Sequence, residues 1–306
     1  MNKKVIKRRN HEAQRSYLEQ WLSLVVPKAL WYIDLSPLQK HQEISIQKET
    51  ANLKSNGSYR CKANFAIEDY LYVPEKKDGR DDSLEDDFAV LESEMIALCR
   101  AAKDGEFHSN KPDAVKKAII GCLSHCIRDA YGWKRILQTY GANPTDPLMK
   151  AKDVPPVAHT WLVENTKRSI YSYEKRASSL TWTIFWNRPV SLLTSDRPGW
   201  DFATAHGRGS TEIFMPLGPN VMLMGVEPQG IFKAGELGMI DASQSNASTF
   251  DKFNVMTVER ARGWIVASSE QQLQDLLPKF TEEEYQYRVS TEKLVMFNPA
   301  SGEQFL

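Results

Sequence analysis

Thr181-Trp182-Thr183-Ile184-Phe185-Trp186 stands just past the middle of the chain, and every residue in it is β-branched or aromatic. Such residues fit a pleated, half-buried surface, so the segment reads as a strand. It also marks a change of period. Before it, apolar residues recur every three or four positions; from residue 180 the repeat is two. Leu84, Phe88, Leu91, Met95 and Leu98 make one helical stripe, and a helix is predicted from about Leu84. Pro112 suits the first position of the next helix, and the stripe Val115, Ile119, Cys122, Cys126, Ala130 and Trp133 carries it toward Gln138. Pro155-Pro156 opens a third helix that runs to about Lys175.

Strand signals flank this helical middle on both sides. Upstream they are Leu30-Trp31-Tyr32-Ile33, an alternating stretch at 43–48 that pairs with it as a hairpin, and Tyr70-Leu71-Tyr72-Val73. Asn56-Gly57-Ser58 is a turn, and 75–82 is a charged loop. Downstream they are 190–194, 212–215, 221–226 and 264–267, with a long loop at 199–210 and a last helix near 248–262. The fold class that follows is α+β. A mixed or antiparallel sheet is built from N-terminal and C-terminal strands, with a central all-helical layer. Residues 1–306 read as a single domain, strand-rich at 1–74 and 180–268 around the helical segment 84–176. Strands from 30–73 and 180–226 are predicted to join one sheet.

The chain has 306 residues, enough to bury a real core, with 42% hydrophobic and 25% charged residues. Lys plus Arg and Asp plus Glu are both 39, so no global charge draws the protein to a polyanion. A local run does exist in Lys3, Lys4, Lys7, Arg8 and Arg9. It reads as a solvated tail or as a phosphate-contacting arm through which nucleic acid would be held. No run of about 20 apolar residues is present, and the basic start does not lead into an apolar segment, so neither a membrane span nor a signal peptide is expected. Four cysteines, at 61, 99, 122 and 126, do not make a disulfide scaffold. Reduced thiols in the cytoplasm are the default for such a chain.

Three constellations could carry chemistry. A helix predicted over 11–25, with Asn10 as its N-cap, puts His11 and Gln14 at the start of an inward face containing Tyr17, Leu18, Trp21, Leu22 and Val25. That polar pair fits a catalytic role or a structural hydrogen-bond pair. Glu85 and Glu92 lie seven residues apart on one edge of the next helix and could hold a divalent metal or move protons; the alternative is a solvated face. Thr194-Ser195-Asp196-Arg197-Pro198 closes an apolar segment. Its side chains can cap their own turn, or Asp196 can bind a metal or orient a histidine at a strand end. Cys122-Leu123-Ser124-His125-Cys126 lacks a second Cys/His cluster, so its cysteines fit core packing and not zinc.

The order of these pieces resembles the bacterial family called domain of unknown function 4238. That family opens with Asn-His and a Pro-Gln ahead of a Tyr-Leu tail; here the segment is Asn10-His11-Glu12-Ala13-Gln14 followed by Tyr17-Leu18, with Ala13 in the place of the proline. Leu30 to Asp34, Asp69-Tyr70-Leu71-Tyr72, the glutamates Glu85 and Glu92, the segment Leu193 to Pro198 and Met215-Pro216-Leu217-Gly218-Pro219 follow in the family's order, over about residues 9 to 268. The resemblance implies a fold and candidate positions, not a reaction. It brings forward His11, Gln14, Glu85, Glu92, Asp196 and Asn254. Two expectations follow. In one, His11, Gln14, Glu92 and Asp196 form the catalytic set of a metal-assisted hydrolase of phosphodiesters or nucleic acid, with Glu85, Glu92 and Asp196 holding Mg²⁺ or Mn²⁺. In the other, the protein is a non-catalytic binding or interaction module whose polar motif residues are structural.

Overall fold

The structure is a computed structural model and describes residues 9–11, 15–23, 27–69, 75–76, 79–80, 83–105, 112–126, 156–201, 212–228, 233–291, 296–297 and 304–305. The class is α+β. The strands that matter are β1 (Ala29–Asp34), β2 (Ile46–Thr50), β3 (Thr181–Trp186), β4 (Thr194–Ser195), β5 (Trp200–Asp201), β6 (Glu212–Gly218), β7 (Val221–Val226), β8 (Leu237–Asp241) and β9 (Trp264–Ala267). The longer helices are α1 (Ser83–Lys103), α2 (Pro112–Cys126), α3 (Pro156–Ser179) and α4 (Ala247–Arg260).

The strands form two principal sheets where one was predicted. Four strands lie in the order β4-β9-β1-β2, each pair antiparallel, with Trp264 opposite Asp34 and Ile33 opposite Ile46. Five lie in the order β5-β6-β7-β3-β8, antiparallel except for β8, which runs parallel to β3 with Asp241 beside Trp186. N-terminal and C-terminal strands do share a sheet: β9 pairs with β1, and β4, from the 180–226 stretch, joins through β9.

Alternation assigns each face. Trp182 and Ile184 of β3, Ile213 and Met215 of β6, and Trp264 and Val266 of β9 enter the largest core cluster. There they meet Tyr17, Trp21 and the inner stripes of α1 and α2. Each such side chain contributes roughly 1.5–3 kcal/mol when fully buried. The opposite face of β9 sends Ile265 and Ala267 into a second cluster with Val258 of α4, Leu273 and Tyr285. The opposite faces of β6 and β7 send Phe214 and Met222 into a third cluster with Phe250 of α4. α4 therefore packs against both sheets from one side; on the other, α1 packs against the five-stranded sheet, and Phe65 stacks on Tyr32 and meets Trp264 of the four-stranded sheet. α1 and α2 approach so closely that a Cβ at Gly121 would lie 2.5 Å from the Leu91 carbonyl oxygen.

Several local expectations change. The helix predicted over 11–25 is one short turn, Arg15–Leu18, extended by a 3-10 turn at Glu19–Trp21. Arg9–His11 is a strand paired antiparallel with Ile67–Asp69, so Asn10 caps no helix and the inward face starts at Tyr17. The 190–194 strand is reduced to Thr194–Ser195. Leu193 and Ser191 instead bond the side chain of Asn254, and Leu192 N–H donates to Pro219 O. Within the expected loop 75–82, Glu75–Lys76 and Gly79–Arg80 pair as a hairpin. β8 and the helices Glu270–Gln274 and Glu282–Thr291 carry no periodic signal strong enough to read. The 70–73 strand and the reach of α2 beyond Cys126 lie outside the described residues. No helix among the described residues is long and apolar enough to cross a membrane.

Candidate functional site: a basic cleft, and a buried acidic corner

Asp196 follows β4 and is 3% exposed. Its carboxylate accepts the backbone N–H of Arg262 at 3.1 Å and of Trp264 at 3.4 Å, in the turn that joins α4 to β9. It thus serves buried backbone donors of that turn. The neighbouring polar residues are used similarly. Ser195 Oγ accepts from Arg197 N–H, and Thr194 Oγ1 pairs with Tyr17 Oη at 2.9 Å. Tyr17 also donates to Pro216 O, so this phenol joins the two sheets. Arg262 donates from Nη1 to the carbonyls of Glu259 and Ala261 at the end of α4, and Tyr285 Oη donates to Arg262 O. Asn254 accepts from Leu193 N–H at 2.8 Å and donates to Ser191 O at 2.9 Å. It is a strut for irregular backbone.

Glu85 and Glu92 both sit on α1, Glu92 buried and Glu85 half-buried. Seven residues of helix separate their Cα atoms by about 10 Å along the axis, too far for one ion to bind both carboxylates with ease. Among the described residues no group of three or more His, Cys, Asp or Glu side chains could hold a metal ion, so Glu85, Glu92 and Asp196 do not assemble the expected Mg²⁺ or Mn²⁺ set. His11 is placed only by its backbone strand; its side chain and the whole of Gln14 lie outside the described residues, as do Lys3, Lys4, Lys7, Arg8 and the side chain of Arg9.

Cys122 is a buried thiol of the main core, and Cys126 falls outside the described side chains. His125 is 1% exposed and stands edge-on to Tyr17, ring centroids 4.6 Å apart. Burial pushes its pKa down to about 3, so it is neutral at pH 7.

The side chains that converge on open space are others. Arg15, Asn52, Lys54, Arg60, Cys61 and Lys62 line a cleft of about 240 Å³. Arg15 comes from the helical turn after the first strand. The rest come from a hairpin in which Asn52 pairs with Arg60 and Leu53 with Tyr59, turned at Gly57 with φ 78°. The hairpin leads into a tight corner where Glu49 takes the N–H of Lys62 and Ala63, and Ala63 adopts φ 49°. Four cations thus face the cleft. Glu19 lies 3.8 Å from Arg60; burial raises its pKa, and Arg60 pulls it down. The Nε of Arg15 is buried and has no hydrogen-bond partner among the described residues. Burial and then Glu19 and Glu49 push the Cys61 thiol up to about 12, which favours the protonated form. Cations around a concave surface are suited to phosphate or carboxylate. Sequence reading recognised the Asn56-Gly57-Ser58 turn but not that Lys54, Arg60 and Lys62 flanking it would meet Arg15.

No family model, no curated protein and no solved structure matches this chain.

Proposed function

We propose that the protein is a non-catalytic binding module for a phosphodiester ligand, nucleic acid being the partner, and that the polar motif residues of the 194–196 corner are structural. The observation that carries the reading is the cleft of four cations with the buried Nε of Arg15, which has no hydrogen-bond partner among the described residues. The corner supports it from the other side: Asp196 and Asn254 are occupied by backbone groups. The basic run Lys3 to Arg9 ends six residues before Arg15 and extends the cationic stretch in sequence. We also propose kinship with the domain of unknown function 4238 family, on the order of its motifs.

The test is fluorescence anisotropy of a labelled single-stranded oligonucleotide against wild type, Arg15→Gln and Arg60→Gln. Binding should weaken with salt. Each variant should reduce the slope of log K against log salt by about 0.7 for every phosphate it no longer neutralises. Equal affinity and slope in all three proteins would remove the cleft from the reading. Release of cleaved oligonucleotide by wild type in Mg²⁺ or Mn²⁺, abolished by His11→Ala, would replace the module with the metal-assisted hydrolase.

A further inference from the structure

β3 and β8 run parallel and finish together, at Trp186 and Asp241. Ala242 N–H donates to Trp186 O at 2.9 Å, and α4 begins five residues later, behind the N-cap Asn246, whose side chain takes Ser248 N–H. The carboxyl ends of parallel strands beside the start of a helix are a common place for ligands, because first-turn N–H groups and the positive end of the helix dipole favour anions. That arrangement alone marks only a place.

Arg188 gives the place a chemistry. Asn187 takes a left-handed backbone, φ 51°, and is exposed, while Arg188 beside it is 5% exposed. Its guanidinium carbon lies 3.7 Å from the ring centroid of Phe250, the fourth residue of α4. The aromatic ring serves one face of the guanidinium. The N–H donors lie in its plane and are not served by the ring. Nε, Nη1 and Nη2 are all buried, and none has a hydrogen-bond partner among the described residues. Phe250 belongs to the third core cluster with Leu192, Phe214, Met222 and Ala242. Burial there pushes the arginine down to about 9, a sign of how poorly the surroundings hold the bare charge.

We propose that Arg188 and the first turn of α4 form a receptor for a small oxyanion group, a carboxylate or a phosphate, held in the plane of the guanidinium. The planar fork of an arginine matches two oxygens of such a group, and Phe250 keeps the fork from turning. This site belongs to different elements from the basic cleft and does not depend on it.

Thermal melts in sodium chloride, sodium acetate and sodium phosphate at one ionic strength test it. Wild type should melt several degrees higher in acetate or in phosphate than in chloride, because a ligand that binds only the folded state stabilises it. A rise in acetate alone that depends on Arg188 assigns a carboxylate, and an Arg188-dependent rise in phosphate assigns a phosphate group. The difference in rise between wild type and Arg188→Met should be the same on an Arg60→Gln background, which alters the cleft. Arg188→Met should lose the rise while melting cooperatively in chloride. If that variant does not fold, Arg188→Lys keeps the charge without the fork and should retain less than half the rise. No rise in wild type, or a rise unchanged in Arg188→Met or Arg188→Lys, overturns the proposal.

Discussion

The two ends of α4 handle buried charge in opposite ways. At its C-terminal end Asp196 receives the N–H of Arg262 and Trp264, and Arg262 returns donors to the carbonyls of Glu259 and Ala261. At its N-terminal end Arg188 is as deeply buried, yet its three nitrogens meet no acceptor among the described residues. Both corners lie at the ends of strands, where sites are commonly found. Residue type and depth therefore do not separate a structural charge from a binding one. What separates them is whether the surrounding backbone has already satisfied it.

The sharpest way to break this comparison is Asp196→Ala. Stranding two buried N–H groups should cost about 2–4 kcal/mol, read as a lower urea midpoint with unchanged slope. If that variant is as stable as wild type, the C-terminal corner is not structural and Asp196 is open to a functional role. Arg188→Met in a ligand-free buffer should move the other way. Replacing a poorly compensated buried charge with a packed side chain is often neutral or stabilising, by roughly 1–4 kcal/mol. A clear loss of stability would mean that the arginine is satisfied by the fold.

His125 is a third deeply buried ionisable group and supplies a pH test. Its folded pKa is lowered to about 3 from the ordinary 6.5, so below pH 6.5 the unfolded chain binds a proton that the folded chain refuses. Stability from this group is complete above pH 6.5 and is lost as pH falls from there toward 3. At pH 5 the loss is about 2 kcal/mol. Chemical denaturation at pH 7 and pH 5 should show His125→Leu losing less over that interval than wild type, by about this amount. Equal losses would place the histidine where it can be protonated.

Smaller effects refine the picture. Asn254→Ala removes the strut under Ser191 and Leu193 and should cost about 1–2 kcal/mol in the same denaturation experiment. Arg60→Gln should change stability by less than about 0.5 kcal/mol, since the Arg60 to Glu19 pair is partly exposed, while it weakens oligonucleotide binding. A variant in which stability and binding fall together would tie the cleft to the fold.

Much of the fold is legible because the signals are local. Ser83–Lys103 begins within a residue of its predicted start and buries the predicted stripe residues Leu84, Phe88, Met95 and Leu98. Thr181–Trp186 and Trp264–Ala267 keep their predicted bounds because alternation along each places side chains on two covered faces. β8 has no second covered face: all five of its residues are exposed or half-buried, and its pairing with β3 is parallel and distant in sequence. The N-terminal stripe from Tyr17 to Leu22 is apolar at helical spacing, but Arg9–His11 found strand partners at Ile67–Asp69. The cleft was illegible because Arg15 and the hairpin residues are separated by some forty positions, and a cation in a sequence does not announce its neighbours.

By itself, then, the sequence determined the α+β class, the helical middle, the β-branched and aromatic strands and the set of residues able to do chemistry. All of these depend on spacing within one element. Tertiary structure alone decided what those residues are for. Asp196 meets Arg262 across 66 positions, Asn254 meets Leu193 across 61, and Tyr17 meets Pro216 across 199. A buried charge becomes structural or available according to the hydrogen-bonding groups that folding brings to it, and those groups come from distant segments whose pairing no local period encodes.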